Sequence, residues 1–325
     1  LNVTARASER SGEVSPGPAS RKRQSRRIQS IALAFLLLAT SGLACQPLQR
    51  WGASTIVDAP NRGAVEPARD DGEWTVAVGP PAATLSLEIV DATTPPRGTV
   101  FLLHGIRSDK TRMRAWGQML AEAGFRAVLV DLRGHGRSTG DWLSYGVVES
   151  RDLVQALDAL EARGLRVGSV GVMGISYGAA TAIEWAGKDP RISAVVAVAP
   201  FASLRAVVPG YAPLPLPEAF VNGAIDMAGR QGGFDPDDAS PVLAIAHTRA
   251  RVLLIHGEDD GRIPPWHSER IFAAGKDHAE LVLVPGAGHQ SIADDPVVSA
   301  RAPEWFTRCL GSEIGSAGGH TEALR

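Results

Sequence analysis

The 325-residue chain has only two cysteines, Cys45 and Cys309. If Cys45 is modified or removed with the segment around it, Cys309 is left without a partner, which excludes an internal disulfide framework. No cysteine and histidine cluster has the spacing of a zinc site, so neither a metal nor a cofactor is expected. Long apolar runs are also missing. IALAFLLLAT at 31–40 spans ten residues, where a membrane-crossing helix requires roughly 20. Positive charge is scarce beyond the N-terminus: after residue 44 the chain holds 26 basic and 33 acidic residues, a net charge near −7. That balance argues against nucleic acid as a partner. No internal repeat is evident, and 44% hydrophobic with 21% charged residues is a globular composition with enough apolar material for one sizeable core.

The N-terminus has its own order: a basic block, RKRQSRR at 21–27, then the apolar run, then SGLAC ending at Cys45. These are the n-region, h-region and cleavage site of an export signal. The segment resembles a bacterial lipoprotein signal peptide, from which the processed chain would begin at a lipidated Cys45. Gly42 stands where such signals usually carry a branched apolar residue. The resemblance implies export from the cytoplasm and lipid anchoring to the cell envelope through Cys45. Ordinary secretion, periplasmic residence and an uncleaved anchor are the alternatives. Residues 46–72, rich in proline, glycine, arginine and aspartate and without periodicity, read as a linker. Residues 73–310 form the expected domain, and 311–325 a flexible tail.

Within the domain, apolar runs alternate with helical patterns. EWTVAV and TLSLEIV are short opening strands suited to antiparallel pairing, followed by strand-like runs at 98–105, 126–134, 169–176, 194–200, 251–260 and 279–289. Their β-rich character is that of strands covered on both faces. Helical patterns occupy about 110–123, 147–163, 177–188, 266–274 and 296–310. The alternation predicts an α/β fold with a mostly parallel central sheet and helices on both faces. Residues 201–241 interrupt the rhythm with a Pro-rich stretch, expected to be a small cap whose apolar residues line an acyl pocket. The alternative is a surface excursion packed on the domain.

In such sheets ligands bind beyond the carboxyl ends of the strands, which turns attention to GVMGISYGAA at 171–180. Ser176 alone suggests a helix N-cap, but Gly174 and Gly178 flank it as G-x-S-x-G, the pattern of a nucleophile elbow in which serine sits on a sharp strand-to-helix turn. A serine nucleophile requires a base. His289 follows the last strand in VPGAGHQS, with Gly286 and Gly288 allowing the turn. The orienting carboxylate is expected from Glu258, Asp259 or Asp260 in LLIHGEDDGRIP, at another strand end.

LLHG at 102–105, DLRGHGRS at 131–138, GISYG at 174–178, HGEDDGRIP at 256–264 and GAGH at 286–289 together resemble the α/β-hydrolase superfamily. The likeness is greatest to compact serine hydrolases of the monoacylglycerol-lipase-like and serine-aminopeptidase-like kinds. The resemblance implies the α/β-hydrolase fold and selects Asp260 through the pattern H-G-x-x-D-x-x-I-P at His256, Gly257, Asp260, Ile263 and Pro264. It also implies an oxyanion hole built from the backbone N–H groups of Ile106 and Tyr177. His104, His256, Asp131, Arg133 and His135 are expected to hold loops, and Cys309 to be a small core residue. The Tyr177 ring either lines the substrate pocket or packs beside the elbow.

The expectation is a serine hydrolase acting on a small-molecule ester or acyl substrate through Ser176, His289 and Asp260. Carboxylic esters or thioesters are favoured because the cap is small and apolar and no charged specificity pocket is legible. A peptidase or aminopeptidase of the same fold, and a non-catalytic surface-anchored binding module, are the alternatives. The oligomeric state has no signature in the sequence.

Overall fold

A computed structural model describes residues 45–62, 73–212 and 214–311. The export-signal segment 1–44, residues 63–72 of the expected linker and 312–325 of the expected tail lie outside the described residues, as does the side chain of Cys45. The chain divides into Leu1–Leu48 and Gln49–Arg325.

The described strands are β1 (Glu73–Val78), β2 (Ala83–Val90), β3 (Gly98–Leu103), β4 (Arg126–Asp131), β5 (Ser169–Ile175), β6 (Ile192–Val198), β7 (Arg251–Gly257) and β8 (Ala279–Val284). They form one sheet in the order β1-β2-β4-β3-β5-β6-β7-β8. The first two pair antiparallel, β2 pairs antiparallel with β4, and every later pairing is parallel. Each predicted strand is present; β1 and β2 end where expected, and the later six end one to five residues earlier, where the chain leaves the sheet to form loops.

Alternation of side chains along β3 builds the two halves of the core. Val100 and Leu102 face Leu120 of α2 (Arg114–Glu122) and Trp305 and Phe306 of α9 (Pro296–Leu310). Phe101 and Leu103 face Leu153 and Leu157 of α3 (Val147–Ala162) and Ile183 and Trp185 of α4 (Tyr177–Lys188). Phe101 meets the Trp185 ring edge-on at 5.0 Å. Each such fully buried large side chain contributes about 1.5–3 kcal/mol. The in-register ends Leu103, Gly174, Ala197 and Val198 align the carboxyl edges of the central strands, so the loops that follow share one rim.

The linker reading of 46–72 does not hold for its first part. Cys45–Val57 is a helix, α1. From Gln49 onward it packs on α6 (Glu218–Gly232), and Ala53 and Val57 are buried with Leu204, Val221, Ile225 and Phe234. The chain then runs along the 134–143 loop, with Leu143 N–H donating to Val57 O at 2.8 Å and the Arg62 guanidinium 3.9 Å from the centre of the Trp142 ring. A helix of this length is marginal alone. Its Pro, Gly and β-branched residues hid it, and the cap surface stabilises it.

The 201–241 stretch is a helical insertion between β6 and β7. It contains the short helix α5 (Leu204–Val207), a 3₁₀ turn at Val208–Tyr211 and α6, and is followed by α7 (Pro241–Ile245). Much of its apolar surface covers α1. Phe201 and Val207 differ, gathering with Ala180 and Ile263 beside the strand ends. Between β7 and β8 lies α8 (Trp266–Gly275).

Candidate active site

Ser176 occupies the N-cap position of α4, yet its side chain makes no capping bond. Its backbone has φ 55° and ψ −111°, a region that costs a non-glycine residue about 1–3 kcal/mol. The conformation is held by Ser176 N–H donating to Val198 O at 2.7 Å and by Ala180 N–H donating to Ser176 O at 3.1 Å. The flanking glycines are required by close approach. A Cβ on Gly174 would lie 2.2 Å from Gly178 O, and one on Gly178 would lie 2.4 Å from Leu103 O and 2.6 Å from His104 O.

The turn carries the Ser176 hydroxyl to 3.1 Å from His289 Nε2. His289 Nδ1 lies 2.7 Å from Asp260 Oδ2. Ser176 and Asp260 are buried, whereas the His289 imidazole is partly open. Three strand-end loops, separated by as many as 113 residues, thus meet within hydrogen-bonding distance.

Asp260 is fixed from its other side. Its Oδ1 accepts the N–H groups of Arg262 at 2.9 Å and Ile263 at 2.8 Å. His256 Nε2 lies 2.7 Å from Ile263 O and 3.4 Å from Asp260 Oδ2, while its Nδ1 is 2.6 Å from Ser268 Oγ. Burial opposes the charged form of Asp260, but hydrogen bonds from His256, His289 and Ile263 outweigh it and hold the carboxyl well below the usual carboxylate range. The group is therefore anionic across the neutral range.

Glu258 and Asp259, the alternative carboxylates, are exposed. Their N–H groups donate to Val284 O and Ala287 O at 3.0 Å, on the β8 side of the loop.

Ile106 and Tyr177 are the residues whose amides the sequence leads one to expect as oxyanion donors. The N–H of Tyr177 is the first of α4 and has no intrahelical acceptor. Ile106 lies in a turn closed by Ser108 N–H donating to Gly105 O at 3.3 Å, and a Cβ placed on Gly105 would be 3.8 Å from Ser176 Cβ. Neither amide donates a hydrogen bond to an acceptor among the described residues.

The Tyr177 ring packs beside the elbow. It is buried, and its hydroxyl donates to Glu149 Oε1 at 2.8 Å. Glu149 also accepts the N–H groups of Ser144 at 2.9 Å and Gly146 at 3.0 Å, together with the Ser144 hydroxyl. Sequence reasoning missed this buried carboxylate. Its only signal was its place at the third position of α3, where a glutamate bonds back to the helix start.

The neighbouring histidines hold loops. Burial and the nearby His135 push His104 down to about 4, so it is neutral; its Nε2 accepts Leu132 N–H at 3.1 Å and its Nδ1 faces Gly105 O at 2.8 Å. Burial likewise lowers His267 to about 4, and its Nδ1 accepts Ala202 N–H at 3.0 Å. The 131–138 loop is built on buried ion pairs. Lys110 Nζ lies 2.7 Å from Asp131 and 2.9 Å from Glu73, and Arg133 grips Asp152 through bonds of 2.7 and 2.8 Å. Cys309 is half-buried on α9 against the core, and burial pushes its thiol up. Among the described residues no group of three or more histidine, cysteine or acidic side chains is placed to hold a metal ion.

Among solved structures, the chain is similar to the Pyrococcus furiosus esterase Pf2001, at 21% identity and a TM-score of 0.61 over 77% of this chain and all of that one. It is also similar to a puromycin-hydrolyzing peptidase of Mycobacterium tuberculosis, at 18% identity and a TM-score of 0.54 over 75% of this chain and 40% of that one. A hydrolase from Pseudomonas aeruginosa matches at 20% identity and 0.54, over 75% and 100%. These likenesses, with the sheet order above, show the α/β-hydrolase fold. In sequence the chain is 28% identical to the uncharacterized protein YqkD of Bacillus subtilis over 203 residues, 59% of this chain and 64% of that protein. It is 29% identical to the uncharacterized protein Rv2307c of Mycobacterium tuberculosis over 192 residues, 58% and 62%. The chain therefore spans less than two thirds of the length of these curated relatives. Residues 112–313, covering α2 through α9 and every strand-end loop described above except that of Ile106, match the prolyl oligopeptidase family, and the chain belongs to that family of hydrolases.

Proposed function

We propose that the protein is a serine hydrolase that cleaves carboxylic esters or thioesters through an acyl-enzyme on Ser176. The observation that carries this reading is the unbroken line from Ser176 Oγ to His289 Nε2 at 3.1 Å and from His289 Nδ1 to Asp260 Oδ2 at 2.7 Å. In this orientation Nδ1 holds a proton donated to the Asp260 carboxylate, leaving Nε2 free to take the proton of Ser176 as its oxygen attacks a carbonyl carbon. The carbonyl oxygen becomes an anion received by the Ile106 and Tyr177 amides, each worth about 3–4 kcal/mol in the transition state. As the tetrahedral species collapses, the bond to the alcohol or thiol breaks and His289 returns the proton to the leaving group. A water, deprotonated by His289, then attacks the acyl-enzyme and releases the acid, restoring Ser176.

The strained Ser176 backbone favours catalysis over a binding-only scaffold, because a surface that merely binds gains nothing from holding a serine at φ 55°. Ester chemistry is favoured by the compact cap, whose Phe201 and Val207 gather with Ala180 and Ile263 in a small apolar cluster. Peptide hydrolysis is the second reading, and membership of the prolyl oligopeptidase family supports it. Fluorophosphonate labelling of wild type and Ser176→Ala tests the nucleophile: equal labelling of both refutes it. A panel of 4-nitrophenyl esters of graded length beside aminoacyl anilides decides between ester and peptide.

We further propose that the chain is exported and lipid-anchored through Cys45. Mass analysis of the mature N-terminus tests this. A diacylglyceryl adduct at Cys45 is the expected result, and a free thiol or a different first residue overturns it.

A further inference from the structure

We propose that Tyr145 is a positioning residue for the Ser176 elbow and that residues 49–62 act as a strap that holds it, so that turnover is full only while the strap is seated. This deepens the hydrolase reading of Ser176 and rests on it.

The strap is joined to the 134–145 loop through backbone groups. Val57 O accepts Leu143 N–H at 2.8 Å, Asp58 pairs antiparallel with Trp142, and Ala59 N–H donates to Asp141 O at 3.1 Å. Asn61 N–H donates to Gly134 O at 3.3 Å, and its side-chain amide donates to Gly136 O, also at 3.3 Å. From the loop, the Tyr145 hydroxyl donates to Ile56 O at 2.8 Å. Ile56 and Val57 end α1, where carbonyls have no donor inside the helix. Tyr145 and Leu143 supply the donors that the strap cannot supply for itself.

On its other side Tyr145 meets the framework of the site. Its ring centre lies 5.5 Å from that of Tyr177 and 6.0 Å from that of Phe201, each pair inclined at 68°. The ring packs against the core half that contains Tyr177, against the cluster shared by α1 and the cap, and against Ala180, Phe201, Val207 and Ile263. Two members of that last group are bonded to the reactive residues: Ala180 N–H donates to Ser176 O at 3.1 Å, and Ile263 N–H to Asp260 Oδ1 at 2.8 Å. The neighbours of Tyr145 in the chain, Ser144 and Gly146, donate to Glu149, which also accepts the Tyr177 hydroxyl. Tyr145 itself has φ 56°, so a bulky residue stands in the left-handed region. Such a conformation persists only while its surroundings over-determine it, and Ile56 O is one of the groups that do so.

The 3.1 Å from the Ser176 hydroxyl to His289 Nε2 depends on the place of Tyr177, the next residue in the chain. With the strap released, the Tyr145 ring loses its anchor and its support behind Tyr177 slackens. A misplacement of about 1 Å at a reacting group costs as much as about 100-fold in rate. The strap can open without unfolding the sheet. Its buried side chains, Ala53, Val57 and Ala59, are small, and Trp51 is 67% exposed. Segments with few buried apolar contacts open below global unfolding, and a helix of 13 residues is marginal alone.

The test locks the strap in place. A Cβ on Gly52 would lie 3.5 Å from Ala224 Cβ of α6, within the range of about 3.5–4.5 Å that a disulfide spans. Gly52→Cys/Ala224→Cys is therefore oxidised in the full chain and the bond confirmed by peptide mass. Turnover of 4-nitrophenyl butyrate is followed as urea rises, beside far-UV circular dichroism. Wild type and the reduced pair are expected to lose about tenfold in kcat before their own unfolding transitions begin, whereas the oxidised pair holds its kcat up to that point. Comparing one chain, oxidised and reduced, in the same urea removes the direct effect of urea on turnover. Without urea, Tyr145→Ala is expected to lower kcat about tenfold with KM within about threefold. Tyr145→Phe keeps the ring but releases Ile56 O, so its kcat stays within about threefold in buffer and is lost at lower urea than in the wild type. The proposal is overturned if wild-type activity and circular dichroism fall together, if the oxidised pair loses activity as early as the reduced one, or if Tyr145→Ala keeps kcat within about twofold. Should Tyr145→Ala fold poorly, the oxidised and reduced series still decides. Loss of the hydrolase reading looks different: Ser176→Ala would then hydrolyse the ester as fast as the wild type.

Discussion

Asp260→Asn is a sharp test because the geometry predicts which way the new amide must face. Asp260 Oδ1 accepts two backbone N–H groups, from Arg262 at 2.9 Å and Ile263 at 2.8 Å. Each such bond is worth about 1 kcal/mol, and more is lost when a buried donor goes unmet. An asparagine therefore keeps its oxygen toward these amides and turns its NH₂ toward His289 Nδ1. The reverse orientation would set two donors against two donors. With an NH₂ at the Oδ2 position, 2.7 Å from Nδ1, the imidazole is stable only with its proton on Nε2. That tautomer cannot accept the Ser176 proton. The expected result is a fall in kcat of about 10⁴-fold with little change in KM. The same NH₂ faces His256 Nε2, 3.4 Å from Oδ2, so stability falls by about 1–3 kcal/mol while the protein remains folded. Turnover of 4-nitrophenyl butyrate by a variant whose thermal unfolding is still cooperative is the assay. A kcat within tenfold of wild type refutes the reasoning, because Asp260 would then not set the tautomer.

Three further outcomes follow from the packing around the site. Glu184 is buried and accepts Ser240 N–H at 2.6 Å, and burial raises it from 4.5 to about 7 despite Lys188. Between those pH values the folded state binds the extra proton, so stability falls by about 3 kcal/mol as pH rises across the window. Urea denaturation of Glu184→Gln at pH 5 and pH 8 should show that dependence flattened, and an unchanged slope counts against the assignment. Gly178→Ala would put a Cβ 2.4 Å from Leu103 O, a backbone atom, so it should cost more than about 3 kcal/mol or abolish soluble protein; a wild-type melting curve contradicts the close approach. Tyr177→Phe removes a donor to the buried Glu149 and should cost about 1.5–3 kcal/mol. Because the proposed mechanism uses the Tyr177 amide and not its hydroxyl, ester kcat should stay within about threefold, and a hundredfold drop would give the hydroxyl a catalytic part.

Much of the fold is legible in the chain because its signals are local. Runs such as VFLL and VLLI must be buried on both faces, and the helical patterns between them impose parallel crossovers. The 177–188 and 296–310 helices have the predicted bounds. The G-x-S-x-G pattern is equally local, because its glycines answer to contacts within one turn and with the adjoining strand. The cap was visible only as a break in rhythm, since its helices are short and Pro-flanked.

The sequence by itself determined which residue types could do chemistry and that strand ends would carry them. It left open three adjacent carboxylates and two uses of Ser176. Tertiary structure decided among these by distance: Asp260 alone of the three meets His289, and the Ser176 hydroxyl turns to that imidazole instead of capping its helix. It also decided what no local pattern encodes. The α1 helix exists because the cap covers it, and Glu149 is buried because Tyr177 and the 144–146 amides satisfy it. The physical reason is common to all of them: periodicity and turn chemistry act between neighbours in the chain, whereas burial, ion pairing and proton transfer depend on groups that only folding brings together.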